Sequence, residues 1–447
     1  MLCFKRIRIP SFCPAVCACK LSRFCATTLL LGLCSQLAAK PPGGVPGQPI
    51  GHFQPIATFS VADSPNAGEV AEIVDATPDG RTLIYTDSQA GTVGFVDITD
   101  ASDPRGLGAI NVGGEPTSVA ITTDGRYALV CVRDPHKLVV LDLDDLDGPA
   151  PVEFALGGQP DSIAISGDGL YAAIAIENER DEDLNAGEMP QDPPGFLTIV
   201  DLAGPPSDWT MRAVDLTGIA HRFEDDPEPE FVSINTDNIA AVTLQENNHI
   251  VMVDLPSGEI VNDFPAGTTT HAADLADDGQ ICFTDLLKSA RLEPDAIGWT
   301  PQGNLVTANE GDYDIDLGEG EFVGGRNFTI FSPGGRLLFD SGAQLEMAVA
   351  AAGSYSDGRS DNKGTEPEGI EIARYLNHDF LFVGMERAAS VAVYRLSGNE
   401  AKPKFVQVLR TGSRPEGLCA IPQRGLFVTA NEGDGTISIF QGKPGKP

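Results

Sequence analysis

A short theme of three strand patterns, separated by turn residues, recurs along this chain at intervals of roughly 40 to 50 residues. Its clearest copy runs from Arg414 to Phe440, with the strand patterns P-E-G-L-C-A-I, G-L-F-V-T-A-N and T-I-S-I-F. Glu366–Leu396 and Glu115–Leu143 repeat the same theme. Because one such small sheet cannot bury its apolar faces alone, neighbouring copies must pack against each other. A repeat of this length and strand content is typical of β-propeller blades.

The number of copies predicts the number of blades. Between copies, alternating stretches such as Pro151–Leu156 and Lys404–Leu409 supply a fourth strand. The sequence therefore predicts an all-β protein, a seven-bladed β-propeller of four-stranded antiparallel blades. The copy between Leu255 and Phe331 is the least regular, which leaves six or eight blades open. The seven copies begin near Glu69, Glu115, Gln159, Pro229, Pro294, Glu366 and Arg414.

The two ends of the repeat region indicate how the propeller closes. The last copy ends at Phe440, after its third strand. Phe53–Val61, which precedes the first copy, has the pattern of a fourth strand. We predict that this N-terminal strand completes the last blade, an arrangement that leaves no open sheet edge.

The first residues are typical of an export signal. A basic region ends at Arg23 and is followed by a short apolar run that ends in small residues, Ala26–Ala39. That run is too short to span a bilayer as a helix. We therefore expect a secreted monomer, extracellular, periplasmic or at the cell surface, with no transmembrane segment after signal removal. The predicted parts of the chain are a signal peptide at 1–39, a Pro/Gly-rich linker at 40–52, the propeller at 53–442 and a tail at 443–447.

The charge of the chain limits its partners. The formal net charge is −34, and such a surface repels phosphate backbones and anionic lipids. Nucleic acid is therefore excluded as a partner, whereas cations, cationic partners or solubility alone remain as explanations. No nucleophile elbow, Walker loop or dinucleotide fingerprint stands where its mechanism would need it.

Acidic residues recur at two places in the repeat. In a propeller blade the first strand lines the central channel, and the loop before it lies on the same face as the loop between the second and third strands. We therefore expect carboxylates to converge at the channel mouth, where a hard cation such as calcium would offset their repulsion. The alternative is that acidic turns simply face water. The acids before the first strands are Glu115, Asp161, Glu230, Asp295, Glu368 and Glu416, and those of the other loops are Asp134, Glu177, Glu246, Glu310, Glu386 and Glu432.

One stretch of mixed charge, Arg359–Gly369, leads directly into a predicted channel strand. Arg359 and Lys363 either neutralise the neighbouring acids in a structural network or hold an anionic ligand beside a cation. The predicted calcium ligands are Glu310, Asp312, Glu368, Glu386, Glu416 and Glu432.

Several motifs in the second half of the chain occur together in a fixed order. Together they resemble the choice-of-anchor I family of secreted or cell-surface proteins, most strongly from Pro294 to Leu396. The first half is similar to YVTN or lactonase-like seven-bladed propellers. The resemblance implies an exported propeller, often joined in that family to surface-anchoring signals or phosphatase-type domains, with no settled activity of its own. The motifs are Pro294–Ile297, Thr307–Asp312, Gly325–Ile330, Phe339–Gly342, Arg359–Gly369 and Gly384–Arg387.

Three functions are consistent with these features. The leading prediction is a binding or interaction module for a protein or small-molecule ligand, with an acidic face that holds calcium. The alternative is a metal-dependent hydrolase of phosphate esters or lactones at the same face, with Glu368 or Glu386 as base. In that enzyme the developing anion would be neutralised by Arg326, Arg359 or Lys363. A structural surface protein with neither property is the third possibility.

Overall fold

The computed structural model describes residues 49–66, 68–146, 148, 150–181, 184, 189–314 and 321–445. The predicted signal peptide, and the predicted linker up to residue 48, lie outside the described residues. Seven four-stranded antiparallel sheets dominate the described part of the chain. The seven copies of the sequence theme therefore form seven blades, as predicted.

The strands are numbered in chain order. The chain begins with β1 (Ile50–Ser60). Blade 1 contains β2 (Val74–Ala76), β3 (Thr82–Asp87), β4 (Thr92–Asp97) and β5 (Arg105–Asn111). Blade 2 contains β6 (Pro116–Ile121), β7 (Tyr127–Val132), β8 (Lys137–Asp142) and β9 (Val152–Ala155). Blade 3 contains β10 (Pro160–Ile165), β11 (Tyr171–Ile176), β12 (Phe196–Asp201) and β13 (Thr210–Asp215).

The next blades include the irregular copy. Blade 4 contains β14 (Pro229–Ile234), β15 (Ile239–Leu244), β16 (His249–Asp254) and β17 (Glu259–Pro265). A separate hairpin follows, with β18 (Thr268–Ala273) and β19 (Asp285–Arg291). Blade 5 contains β20 (Pro294–Trp299), β21 (Leu305–Asn309), β24 (Asn327–Phe331) and β25 (Leu337–Asp340). A second hairpin interrupts it, with β22 (Asp312–Asp314) and β23 (Glu321–Val323).

The last two blades follow the helix α1 (Gln344–Ala352). Blade 6 contains β26 (Pro367–Tyr375), β27 (His378–Met385), β28 (Ser390–Leu396) and β29 (Lys404–Arg410). Blade 7 contains β30 (Pro415–Ile421), β31 (Leu426–Asn431), β32 (Thr436–Pro444) and the N-terminal β1. The first strands of neighbouring blades contact each other in ring order, and β30 contacts β2 to complete the ring.

Both faces of each blade are buried against its neighbours. In β3, Leu83 and Tyr85 pack toward Val428 of blade 7, whereas Ile84 packs toward Val130 of blade 2. Because successive side chains of a strand point to opposite faces, a strand between two blades needs apolar residues at consecutive positions. This explains the near-continuous apolar runs of the second and third strands in the sequence theme.

The N-terminal strand closes the propeller, as predicted. β1 pairs antiparallel with β32 from Ile50 opposite Pro444 to Ser60 opposite Thr436. The pairing begins within the stretch that the sequence assigned to the linker and continues into the predicted tail, because backbone hydrogen bonding does not need the apolar pattern that set those boundaries. Gln407 of blade 6 also accepts a hydrogen bond from the backbone N–H of Phe53 at 2.8 Å and donates one to its carbonyl at 3.0 Å.

The one helix of the described residues, α1, packs on the outside of blades 5 and 6. Its buried side chains include Leu345, Glu346 and Val349. The helix ends at Gly353, whose φ of 73° is the left-handed conformation that glycine adopts at low cost. Among the described residues no helix has both the length and the apolar character needed to cross a bilayer.

Candidate functional site

In every blade, one position of the repeat places its side chain in the central channel of the propeller. It is the residue after the proline that opens the first strand, or after Ala71 in blade 1. In blade 2 this residue is Thr117. The seven side chains line one cavity of about 500 Å³. Its six acids, called the channel ring below, are Glu72, Asp161, Glu230, Asp295, Glu368 and Glu416.

A bulge in the first strand directs these side chains into the channel. In blade 3, Pro160 pairs with Ile176 and Ile163 with Ile174, so that β10 carries one residue more than β11 over this stretch. The first strands of blades 2, 4, 5, 6 and 7 show the same register shift. Bulges re-aim side chains next to functional sites. The bulged Ser162 also donates a hydrogen bond to the carbonyl of Glu230 at 2.6 Å, which ties blade 3 to blade 4.

Five of the six acids predicted before the first strands belong to the channel ring. The exception is Glu115, which precedes Pro116 and lies at the edge of the cavity, 3.8 Å from Arg133. Glu72 belongs to the ring but is absent from the predicted acids, because blade 1 has Ala71 where the other blades have proline. Aligning the copies on their apolar alternation, rather than on the proline, would have found it.

A second set of acids surrounds the ring at the residue that follows each second strand. Glu177, Glu310, Glu386 and Glu432 occupy this position, as predicted. In blades 2 and 4 the position holds Arg133 and Gln245, so the predicted Asp134 and Glu246 are each displaced by one residue. Asp134 is not among the residues that line the cavity.

Cations of the protein pair with three acids of this outer set, Glu310, Glu386 and Glu432. Arg414 lies between Glu386, 2.9 Å from its Nε, and Glu432, 2.7 Å from its Nη1. Arg387 likewise pairs with Glu386, at 2.8 Å, and with the fully buried Glu366. The chain of ion pairs explains how so many acids can be held at one face.

Lys363 extends the same network. Its Nζ lies 2.5 Å from Glu310 and 2.9 Å from Glu366. Burial disfavours the ammonium, but the two carboxylates raise the pKa of Lys363 well above its ordinary value. Lys363 therefore belongs to a structural network, which is the first of the two interpretations of the stretch Arg359–Gly369.

The channel ring itself has no such neutralisation. Among the described residues, none of its six carboxylates lies within 4.0 Å of a lysine, arginine or histidine nitrogen. Burial raises the pKa of Glu72 and of Asp161 to about 7. Burial and the neighbouring carboxylates raise the pKa of the other four members well above the ordinary range. The ring therefore holds its negative charge at a free-energy cost.

Glu368 and Glu386 influence each other's protonation. Burial and the charge of Glu386 raise the pKa of Glu368 well above its ordinary range. Burial also raises the pKa of Glu386, but a hydrogen bond with Glu368 opposes that rise. Of two neighbouring carboxyl groups with different pKa values, the one with the higher pKa is the candidate acid and the other is the candidate base.

Of the predicted calcium ligands, Glu310 and Glu368 meet in one group together with Glu366. Oxygen atoms of these three residues lie within 4.8 Å of one another, and no other group of three or more metal-ligating side chains this close occurs in the described part of the chain. Of the three residues of this group, only Glu368 lines the channel cavity. Glu386, Glu416 and Glu432 line that cavity as well. Asp312 belongs to the hairpin strand β22 and raises the pKa of Glu310 through its charge.

The cations assigned to a hydrolase are placed differently from the prediction. Arg326 is fully buried and donates hydrogen bonds to the carbonyls of Asp274 at 3.3 Å and Ser360 at 3.1 Å. Arg326 therefore cannot contact a ligand in the channel. Arg359 is not among the residues that line the cavity, and Lys363 already holds two carboxylates. The two hairpins and the loop before β26 enclose Arg326, and no local sequence pattern indicates that burial.

The ring predicts an unusual dependence of stability on pH. Because the folded state raises the pKa values of the ring acids, it favours their neutral forms. This contribution is complete below pH 4, where the unfolded chain is also protonated, and is lost as the pH rises through about 7, the pKa of Glu72 and Asp161. We expect the melting temperature without divalent cations to fall by on the order of 5 °C between pH 5 and pH 8.

Differential scanning calorimetry at the two pH values measures this change. The variant Glu230→Gln should show a smaller fall, and Glu259→Gln, on the exposed outer strand of the same blade, should behave like the unchanged protein. A melting temperature that rises between pH 5 and pH 8 would contradict the expected charge cost in the channel.

Comparison with known proteins identifies the family. The chain matches the Choice-of-anchor I domain over residues 72–323 and 314–399. A comparison with curated proteins finds no match. Among solved structures it is similar to hydrazine synthase of Kuenenia stuttgartiensis, with 16% identity, a TM-score of 0.55, and coverage of 85% of this chain and 98% of that chain.

Two further structures are similar. The RRP9 WD40 repeats are 9% identical, with a TM-score of 0.59 and coverage of 88% and 100%. The β-propeller domain of Myceliophteria thermophila Cps50 (Swd1) is 12% identical, with a TM-score of 0.54 and coverage of 87% and 99%. At these identities the likeness shows the propeller fold alone. The match to the domain covers most of the chain, and the protein therefore belongs to the choice-of-anchor I family, which implies a secreted or surface β-propeller module.

Proposed function

We propose that this secreted or surface propeller is a binding module whose acidic channel takes up a cation. The observation that carries the proposal is the channel ring: six blades each bring one carboxylate to the same cavity, and among the described residues none of the six forms an ion pair within 4.0 Å. Collecting like charges in a partly desolvated channel costs free energy unless a positive ligand offsets it. Binding of a cationic ligand would offset that repulsion, and the free energy recovered would contribute to its affinity.

Calcium is the proposed ion, and Glu310, Glu366 and Glu368 are the residues that would hold it. Their oxygens are close enough together to contact a single ion, since calcium binds oxygen at about 2.3 to 2.6 Å. Gln245 donates a hydrogen bond to Glu310 at 2.5 Å and orients that carboxylate. The ammonium of Lys363 contacts two of the three acids, so calcium has to displace it. Lys363 should therefore set the affinity.

Isothermal titration calorimetry with calcium, after removal of bound ions with a chelator, tests the site. We expect binding together with a rise in melting temperature, and a roughly tenfold higher affinity for Lys363→Gln. Glu310→Gln should lose the response, whereas Glu259→Gln should keep it. If neither the unchanged protein nor Lys363→Gln responds to millimolar calcium, the calcium proposal is wrong.

The hydrolase alternative rests on Glu368, whose pKa is raised well above its ordinary range, beside Glu386, whose pKa rise is opposed by their hydrogen bond. A panel of phosphomonoesters and lactones, supplied with calcium, separates it from the binding module. Turnover that disappears in Glu368→Gln would assign catalysis to this pair. Silence across the panel favours binding alone, because Arg326 is enclosed and Lys363 is already paired.

A further inference from the structure

Most of the channel ring lies outside the calcium group. Only Glu368 belongs to both, so the other five ring acids have no place in that group and, in the part of the chain that the structure describes, no ion pair within 4.0 Å. Glu230 shows this most clearly, because its Oε2 is buried and has no hydrogen-bond partner among the described residues. Glu230 also lines the channel cavity. The five acids are Glu72, Asp161, Glu230, Asp295 and Glu416.

The spacing of these acids argues against a bare metal ion. An ion that binds oxygen at about 2.4 Å can bridge two oxygens that are at most about 4.8 Å apart. Among the described residues, three carboxylates come this close only at Glu310, Glu366 and Glu368. An ammonium lies about 2.8 Å from each oxygen, and a flexible chain with several ammonium groups reaches carboxylates that are farther apart.

The protein itself shows that nitrogen cations fit between neighbouring carboxylates outside the ring. Lys363 bridges Glu310 and Glu366, and Arg414 bridges Glu386 and Glu432. In both cases one nitrogen cation satisfies carboxylates that come from two loops. Such contacts are charge-assisted hydrogen bonds, which are stronger than neutral ones.

The walls between the acids are suited to methylene groups. Ile73, Val119, Ile163, Ile370 and Leu418 line the cavity together with the carboxylates. The cavity of about 500 Å³ has the size of a small-molecule site. A cavity lined by both carboxylates and aliphatic side chains matches a ligand in which charged nitrogens alternate with short aliphatic segments.

We propose that the channel ring binds an aliphatic polyamine, with ammonium groups at ring carboxylates and methylene segments against the aliphatic walls. The inference rests on the proposed function, since it requires that the channel takes up cations. It assigns a second subsite that is separate from the calcium group: ring acids such as Glu230 and Glu416 contact the polyamine, whereas Glu310 and Glu366 hold the metal.

Isothermal titration calorimetry of the purified protein with spermine and spermidine tests the subsite. We expect dissociation constants on the order of 10 to 100 μM at low salt, weakening as ionic strength rises. Butylamine and 1,8-octanediol, which lack multiple charges, should not bind measurably. Glu230→Gln and Glu416→Gln should each weaken spermine binding by at least about tenfold, and Glu259→Gln should leave it unchanged.

A second ligand distinguishes whether a free polyamine or a basic protein segment supplies the ammonium groups. The blocked peptide Lys-Lys-Lys carries the same chemistry as protein side chains, and tighter binding of the peptide than of spermine would identify a basic segment as the source. Equal spermine affinity in the unchanged protein and in both ring variants would overturn the proposal, because binding would then reflect only the net charge. The ring variants remove repulsion, so their melting temperatures should equal or exceed that of the unchanged protein.

The two proposals fail separately. Glu310→Gln should lose calcium binding and keep spermine binding. Calcium binding without spermine binding would overturn the polyamine subsite and leave the calcium site intact. Spermine binding that depends on Glu230, without any response to calcium, would support the subsite and remove the calcium site. A channel that binds neither removes both.

Discussion

Deleting residues 50–60 should lower the melting temperature by more than about 15 °C or abolish cooperative unfolding. The deletion removes the whole of β1, the outer strand of blade 7 and the partner of β32. It also removes Phe53, whose ring lies 5.1 Å from Tyr375 and 5.2 Å from Phe382, between blades 6 and 7. Truncating one buried phenylalanine to alanine alone costs about 3 to 5 kcal/mol.

Thermal unfolding followed by circular dichroism measures the effect. A chain that starts at Pro49 keeps β1 and serves as the control, and its melting temperature should equal that of the full chain. Phe53→Ala should fall between the two. An unchanged melting temperature after deletion of residues 50–60 would show that β1 does not hold the propeller closed.

Replacing Arg326 with methionine should lower the free energy of unfolding by about 3 to 5 kcal/mol. Arg326 and Glu346 are both fully buried, with Nη1 3.8 Å from Oε1. Burial raises the pKa of Glu346 to about 7, although the charge of Arg326 opposes the rise. Without Arg326, the buried carboxyl group loses the guanidinium that offsets its charge. The carbonyls of Asp274, Ser360 and Asn362 also lose their donor.

Urea unfolding at pH 7 measures this loss. The double variant Arg326→Met with Glu346→Leu removes both charges, and we expect it to recover part of the stability, because a paired loss leaves no uncompensated charge. Glu346→Leu alone completes the double-mutant cycle, because it leaves the buried guanidinium of Arg326 without its partner. A single Arg326→Met that loses less than about 1 kcal/mol would contradict a structural role of the pair.

The repeat made the architecture predictable, because strand alternation and turn residues are local properties of the sequence. The seven blades and the closing strand follow from them. The same local pattern located five acids of the channel ring, since a proline marks the start of each of those strands. It misplaced Glu115, which stands before Pro116, whereas the ring position of blade 2 is Thr117, the residue after that proline.

The contacts between distant segments could not be predicted in this way. The burial of Arg326 depends on two hairpins and on the loop before β26, which are far apart in sequence. Likewise, the sequence left open whether Lys363 pairs with acids or faces a ligand. The answer depends on Glu310 arriving from blade 5 within 2.5 Å of its ammonium.

Because β1 precedes the first blade and β32 belongs to the last, the ring can close only after all seven blades have been synthesised. The first strand therefore stays unpaired until the last blade forms. The mutual repulsion of the channel acids arises at that final step. Cations in the compartment where β1 pairs with β32 should therefore speed the closure of the propeller.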